Sequence, residues 1–221
     1  MAVSSIQKVA KAASLRDQIG KSLSAAIVSG ELAPGTMVSV PGLAAEFGVS
    51  ATPVREAILD LEQRGFVTSV PNKGFRVTEV SRRDLSELIE VRTMLEAPVM
   101  AALAGKIPPE EMPKWRQLAD RISEYADAGN LTAFLEVDRD FHLGLLALHG
   151  NDRLVALVTE LRSQTRMVGM AKMTNTPELS KSGREHHEML DLIEQGHGEE
   201  LEALMANHFA HVFTWWGPQS E

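Results

Sequence analysis

The 221-residue chain contains no cysteine. That excludes disulfides and thiolate metal sites and leaves nitrogen and oxygen as the donors for any bound ion. It has no apolar run long enough to cross a bilayer, and its start, Met1-Ala2-Val3-Ser4-Ser5, lacks the apolar core of a secretion signal. The expectation is a cytoplasmic protein with no membrane partner. The hydrolase signatures His-Glu-x-x-His and Gly-x-Ser-x-Gly are missing, as is any repeat strong enough to recognise. An excess of positive charge is missing too. The formal net charge is -8, which argues against a nucleic-acid partner if it is spread evenly. It is not spread evenly: through Val80 there are 8 Lys/Arg against 7 Asp/Glu, and beyond it 14 against 23. The acidity belongs to the second part of the chain, and a near-neutral first part with basic groups at one edge can still bind phosphate.

What is present begins with Leu43-Ala44-Ala45-Glu46-Phe47-Gly48-Val49-Ser50-Ala51-Thr52-Pro53-Val54-Arg55-Glu56-Ala57-Ile58, the pattern of two short helices around a tight turn. Gly48 suits the left-handed end of the first helix, Ser50 or Thr52 can cap the second, and Pro53 falls in its first turn. Val54, Ala57, Ile58 and Leu61 recur at helical spacing and form a core face. The other face begins with Ser50, Thr52 and Arg55, at the end of a recognition helix that meets base edges, and arginine suits a bidentate grip on guanine or a phosphate contact. Two β-prone runs, 66–70 and 75–78, flank Pro71-Asn72-Lys73-Gly74 and read as a hairpin with a basic tip. With an upstream helix at 15–28, the order is that of a winged helix.

At these residues the chain resembles the GntR family of bacterial transcription regulators, whose signature is close to Leu-Ala-x-x-x-Gly-Val-Ser-x-Thr-Pro-Val-Arg-Glu-Ala. The resemblance implies a winged helix over residues 1–80 and, over 81–221, an all-helical FCD effector domain of the FadR subgroup. Two positions depart from the family: Ala51 and Gly42 stand where members often carry arginine. The implied grip on a palindromic double-stranded operator rests on Ser50, Thr52, Arg55, Lys73 and Gly74.

Ser81-Arg82-Arg83-Asp84 reads as a capping box, so the domains meet with almost no linker. Apolar periodicity and breakers then predict helices near 82–104, 109–128, 131–148, 152–171, 177–195 and 198–215, an antiparallel bundle. Asn130, Asn151 and Thr176-Pro177 are start signals, and Gly105, Gly129, Gly150 and Gly196 are stops.

All seven histidines lie beyond residue 141. Asp138 and His142 are spaced i, i+4 and share a helix face with Leu135, Leu145 and Leu146. A carboxylate and an imidazole on an apolar face must be paired or bound to something. His186 aligns with Met189, Leu190 and Ile193, and His208 with Leu201, Leu204, Met205 and Val212, so both face inward. Three nitrogens and one oxygen suit zinc or nickel, with manganese possible, and leave positions open for a ligand. The resemblance implies the same set: metal-binding FCD domains carry Asp-x-x-x-His, a histidine after glutamate, and a last histidine in the final helix. His149 closes its helix, where a cation meets the macrodipole, and His187 and His197 read as solvated. His211, one turn after His208, is a candidate for the pocket wall.

An effector touching such an ion would bear a carboxylate, with arginine clamping the same group. Arg92 matches a position that often lines the family's pocket, and Arg162 and Arg166 lie on the helix after Asn151; a surface or salt-bridge role is the alternative for all three. Met167, Met170 and Met173 read as plastic core or lining. The resulting expectation is a homodimeric repressor, its operator affinity set by a small organic acid at a metal. The alternatives are a metal-dependent hydrolase with an accessory DNA-binding domain and a DNA-binding module with a purely structural ion.

Overall fold

The computed structural model describes residues 14–165 and 176–211. Arg166, Met167, Met170 and Met173, and the ends expected for helices at 171 and 215, lie outside those residues. Helix α1 (Leu15–Val28) opens on a reciprocal cap: the Ser14 hydroxyl accepts the Asp17 amide, and the Asp17 carboxylate accepts the Ser14 amide. Its buried residues Ile19, Leu23 and Ile27 form one stripe. After strand β1 (Met37–Val38), α2 (Val40–Phe47) starts at Ser39 and closes on Gly48, whose φ of 64° is left-handed. Helix α3 (Ala51–Gln63) follows. Its Val54, Ala57, Ile58 and Leu61 are at most 1% exposed, and each of the three larger ones contributes about 1.5–3 kcal/mol of burial. They hold α3 against α1 and α2.

Strands β2 (Val67–Val70) and β3 (Gly74–Val77) form the expected hairpin, with β2 starting one residue later than expected and β3 starting and ending one residue earlier. Phe66 falls outside the ladder because its amide closes α3 onto the Leu61 carbonyl at 2.8 Å. The sheet has a third strand that sequence reasoning did not anticipate: β1 pairs antiparallel with β3, giving the order β1-β3-β2. A two-residue strand has no period to detect, and its partner lies beyond the whole helix-turn-helix in sequence.

The second core is helical. Ser81 and Asp84 cap α4 (Arg82–Ala101) reciprocally. Then come α5 (Met112–Asp127), α6 (Leu131–Ala147), α7 (Asp152–Thr165), α8 (Pro177–Gln195) and α9 (Gly198–His211). The side chains of Asn130, Asn151 and Thr176 accept the Ala133, Leu154 and Leu179 amides, as expected of start signals. Helix α5 begins later than expected because Pro108 and Pro109 first form turns, their carbonyls accepting the Glu111 and Met112 amides. Helix α4 packs on α9 and α7, and α5 on α6 and α8, around Trp115, Phe134, Phe141, Leu145 and Phe209. Among the described residues no helix is long and apolar enough to cross a membrane.

Candidate functional site

Two regions of the fold concentrate chemistry. The first is the exposed start of α3. Ser50 takes the extended cap conformation, but its side chain makes no cap hydrogen bond, so the expected capping role falls away. Ser50, Thr52 and Arg55 are all exposed. Lys73 is exposed at the hairpin turn, beside Asn72 with its positive φ of 61°. Among the described residues no ion pair is recorded for Arg55 or Lys73, whereas Arg16 and Arg64 are drawn to Asp60. Gly74 sits hard against β1: a Cβ there would lie 2.5 Å from the Val38 carbonyl oxygen.

The second region lies inside the helical domain, where α6, α8 and α9 bring Asp138, His142, His186 and His208 together. All four are buried, and one ligand atom from each lies within 4.8 Å of the others. His142 Nε2 is 3.1 Å from His186 Nε2, and Asp138 Oδ1 lies 3.2 Å from His186 Nε2 and 3.5 Å from His142 Nε2. Ligands bound at about 2.0–2.2 Å and at right or tetrahedral angles stand roughly 3.0–3.5 Å apart, so the three spacings among Asp138, His142 and His186 fit a shared cation.

The hydrogen bonds around the cluster orient the ligands. His186 Nδ1 donates to the Ser182 and Gly183 carbonyls at 3.0 and 3.2 Å, and His208 Nδ1 donates to Glu185 at 2.7 Å. Both rings therefore turn an Nε2 lone pair inward. His142 Nδ1 is buried with no hydrogen-bond partner among the described residues. If the His142 proton sits there, two Nε2 lone pairs confront each other at 3.1 Å. If it sits on Nε2, Nδ1 is an acceptor without a donor. A cation between the Nε2 atoms removes the first conflict, so the donor set fits a metal. Burial and the Arg162 charge hold His142 well below the usual imidazole range, and burial lowers His208 as well; both are neutral, ligating forms at neutral pH. The Asp138 carboxyl stays well below its ordinary value despite its burial, with the Arg162 guanidinium as the fixed charge beside it.

A buried ionic network adjoins the cluster. Glu96, fully buried, accepts Arg92 Nε at 2.7 Å through one oxygen and Arg162 Nε at 2.8 Å through the other. Arg162 Nη1 reaches Asp138 Oδ2 at 3.3 Å, and Arg92 Nη1 reaches the Thr165 hydroxyl at 3.1 Å. Arg92 also lies over the Phe209 ring, 4.6 Å from its centroid. The two arginines thus form salt bridges beside the cluster rather than on the surface. His211 Nδ1 is 3.1 Å from Glu185 Oε1, behind His208. His197 is exposed as expected, but His187 is half-buried, 3.5 Å from Asp120. Glu96, Thr165 and Ser182 were not found from sequence. Glu96 had a usable signal, its i+4 spacing from Arg92, whereas Thr165 and Ser182 had none.

The FCD domain model matches residues 87–211, and the model of bacterial regulatory proteins, gntR family, matches residues 15–77. The chain is 28% identical to the Nta operon transcriptional regulator of Aminobacter aminovorans over 84% of this chain and 87% of that protein. It is 27% identical to the probable D-xylose utilization operon transcriptional repressor of Paenarthrobacter nicotinovorans over 83% and 80%. The solved structure of E. coli McbR/YncC shares the fold, with a TM-score of 0.75 at 24% identity, covering 90% of this chain and 95% of that one.

Proposed function

The chain belongs to the GntR family of bacterial regulatory proteins and carries an FCD domain, and on that premise we propose that this DNA-binding transcriptional regulator is a cytoplasmic homodimeric repressor, released from its operator when a small organic acid joins a divalent ion in the helical domain. The observation that carries this is the buried convergence of Asp138, His142, His186 and His208 behind a winged helix whose Arg55 is exposed. Residues 1–80 form the DNA-binding unit and 81–221 the effector and dimerisation unit.

On DNA, the start of α3 enters the major groove. Arg55 grips guanine or phosphate, Ser50 and Thr52 offer hydroxyls, and Lys73 and Gly74 bring the wing to the flanking backbone. Without arginine at positions 42 and 51, the affinity depends strongly on Arg55.

In the helical domain the four ligands suit zinc or nickel best and manganese less well. A divalent ion there supplies a Lewis-acidic position for an oxygen anion. The charge balance favours a carboxylate. With the ligating histidines uncharged, as metal ligation requires, Arg92, Arg162 and a divalent ion face three carboxylates, Glu96, Asp138 and Glu185, leaving one positive charge for a bound anion to neutralise. Arg92 and Arg162 are the clamps nearest the cluster, Arg166 joins them on sequence grounds, and His211 lies at the edge. Val91 and Met94, three residues apart on α4, are exposed by 42% and 63%, an apolar strip suited to a second copy. Two copies space two α3 helices on a palindrome.

Metal analysis of purified protein, followed by calorimetry with a panel of small carboxylic acids and a gel shift, tests this. One divalent ion per chain, binding of an acid to the loaded protein and weaker DNA retention with that acid are expected. Metal without acid binding makes the ion purely structural; turnover of a panel member makes the protein an enzyme.

A further inference from the structure

The last described turn of α7 reaches both functional regions. Arg162 points inward to Glu96 and to Asp138 Oδ2, at 2.8 and 3.3 Å, while Oδ1 of the same Asp138 faces the histidines. Two residues on, Gln164 faces Gly65 in the wall of one cavity, close enough that a Cβ built on Gly65 would meet Gln164 Cγ at 3.4 Å and its amide nitrogen at 3.7 Å. Gly65 is the joint between α3 and the wing. Its φ of 77° turns the chain out of the helix, its amide donates to the Glu62 carbonyl at 3.0 Å, and the next amide donates to Leu61 at 2.8 Å. Phe66 and Val67 then enter the core of the DNA-binding unit. A push on Gly65 is thus delivered to α3 and β2 together.

This contact lies between two openings. On one side a cavity of about 500 Å³ is lined by Glu62, Gly65, Val67, Glu87, Val91 and Gln164, among others. On the other, a cavity of about 600 Å³ includes Gln63, Arg64, Phe66, Arg139, Arg162 and Ser163 in its lining. Empty space on both flanks lets the two units rock about the Gln164–Gly65 contact with little loss of packing, which a close-packed interface would forbid.

We propose that the end of α7 is the lever joining the two units, with Arg162 and Gln164 as positioning residues: a cation on Asp138 draws charge from the carboxylate that holds Arg162, Arg162 shifts toward Glu96, and Gln164 moves the α3–wing joint. The lever rests on the metal site proposed above. A cation can bias this element only by interacting differently with its two arrangements, and the Asp138–Arg162 bond supplies that difference.

The test uses the full chain and zinc alone as probe, with hydrogen exchange at the Gly65 and Phe66 amides and calorimetry in parallel. In the wild type, zinc should change exchange at these amides by about fivefold or more, the low end of ordinary coupling between sites. Gln164→Ala should keep zinc affinity within about twofold, since it touches no ligand, and lose the exchange response. Gln164→Met, which preserves the length of the contact, should restore it. A zinc response persisting in Gln164→Ala overturns the lever and leaves the metal site standing, as does zinc binding in the wild type without any change at Gly65 and Phe66. No zinc binding in the wild type overturns both.

Discussion

Replacing Glu96 by glutamine should cost more stability than most single changes to this chain. The substitution keeps the shape of the side chain but swaps one carboxylate oxygen for an NH2 group that must face either Arg92 Nε or Arg162 Nε, now 2.7 and 2.8 Å from its oxygens. Donor then meets donor, and two buried guanidiniums lose their shared anion. Breaking a buried ion pair from one side costs about 3–5 kcal/mol. For a chain of this length each kcal/mol moves the melting temperature by about 2–4 °C, so a fall of roughly 6–20 °C is expected in a thermal melt followed by circular dichroism. The pairing, rather than the residue as such, carries the cost. Glu96→Gln combined with Arg162→Met should therefore recover part of the loss, because the second change removes a stranded charge. A fall below about 1 kcal/mol, or a double variant weaker than the sum of its parts, would refute the view that Glu96 holds the two arginines.

Arg55→Ala should weaken operator binding about tenfold to a hundredfold, the loss of one bidentate base contact, with metal content unchanged; an unaltered gel shift removes Arg55 from the DNA face. His186→Ala should do the reverse, lowering metal occupancy and effector response while metal-free DNA affinity holds, and full occupancy would show the ligand set to be wrong. Metal-free protein should lose stability on acidification. His142 and His208 are held below the usual imidazole range in the fold, so below about pH 6.5 the unfolded chain binds protons that the folded one does not. Stability then falls with pH by up to about 1.4 kcal/mol per unit for each histidine until the folded groups themselves protonate. Denaturant melts from pH 7.5 to 5 should show this slope, and His142→Phe should reduce it; an equal slope in that variant would exclude His142 as its source.

The parts of this molecule legible in sequence are those encoded locally. The helix-turn-helix is written in neighbouring residues, with Gly48 between two helices and Val54, Ala57, Ile58 and Leu61 at helical spacing, and four of the six later helices announce themselves through side-chain caps at Ser81, Asn130, Asn151 and Thr176. The Asp138–His142 pair is likewise a local i, i+4 feature, and the inward stripes of α8 and α9 pointed His186 and His208 at the same interior. Strand β1 and the partners of Arg162 were not legible. Glu96 and Asp138 lie 66 and 24 positions from Arg162 and become neighbours only when α4, α6 and α7 pack. The pKa directions have the same origin, since burial and the Arg162 charge act on His142 through space.

The crowding of Gly74 against the Val38 carbonyl bears on how the wing should be dissected. A side chain at that position would prise the short first strand from its neighbour, so a Gly74 variant that fails to hold DNA would report a distorted sheet and reveal nothing about the groove. Lys73, one step earlier and pointing into open solvent, is where the hairpin can be altered without disturbing its own scaffold.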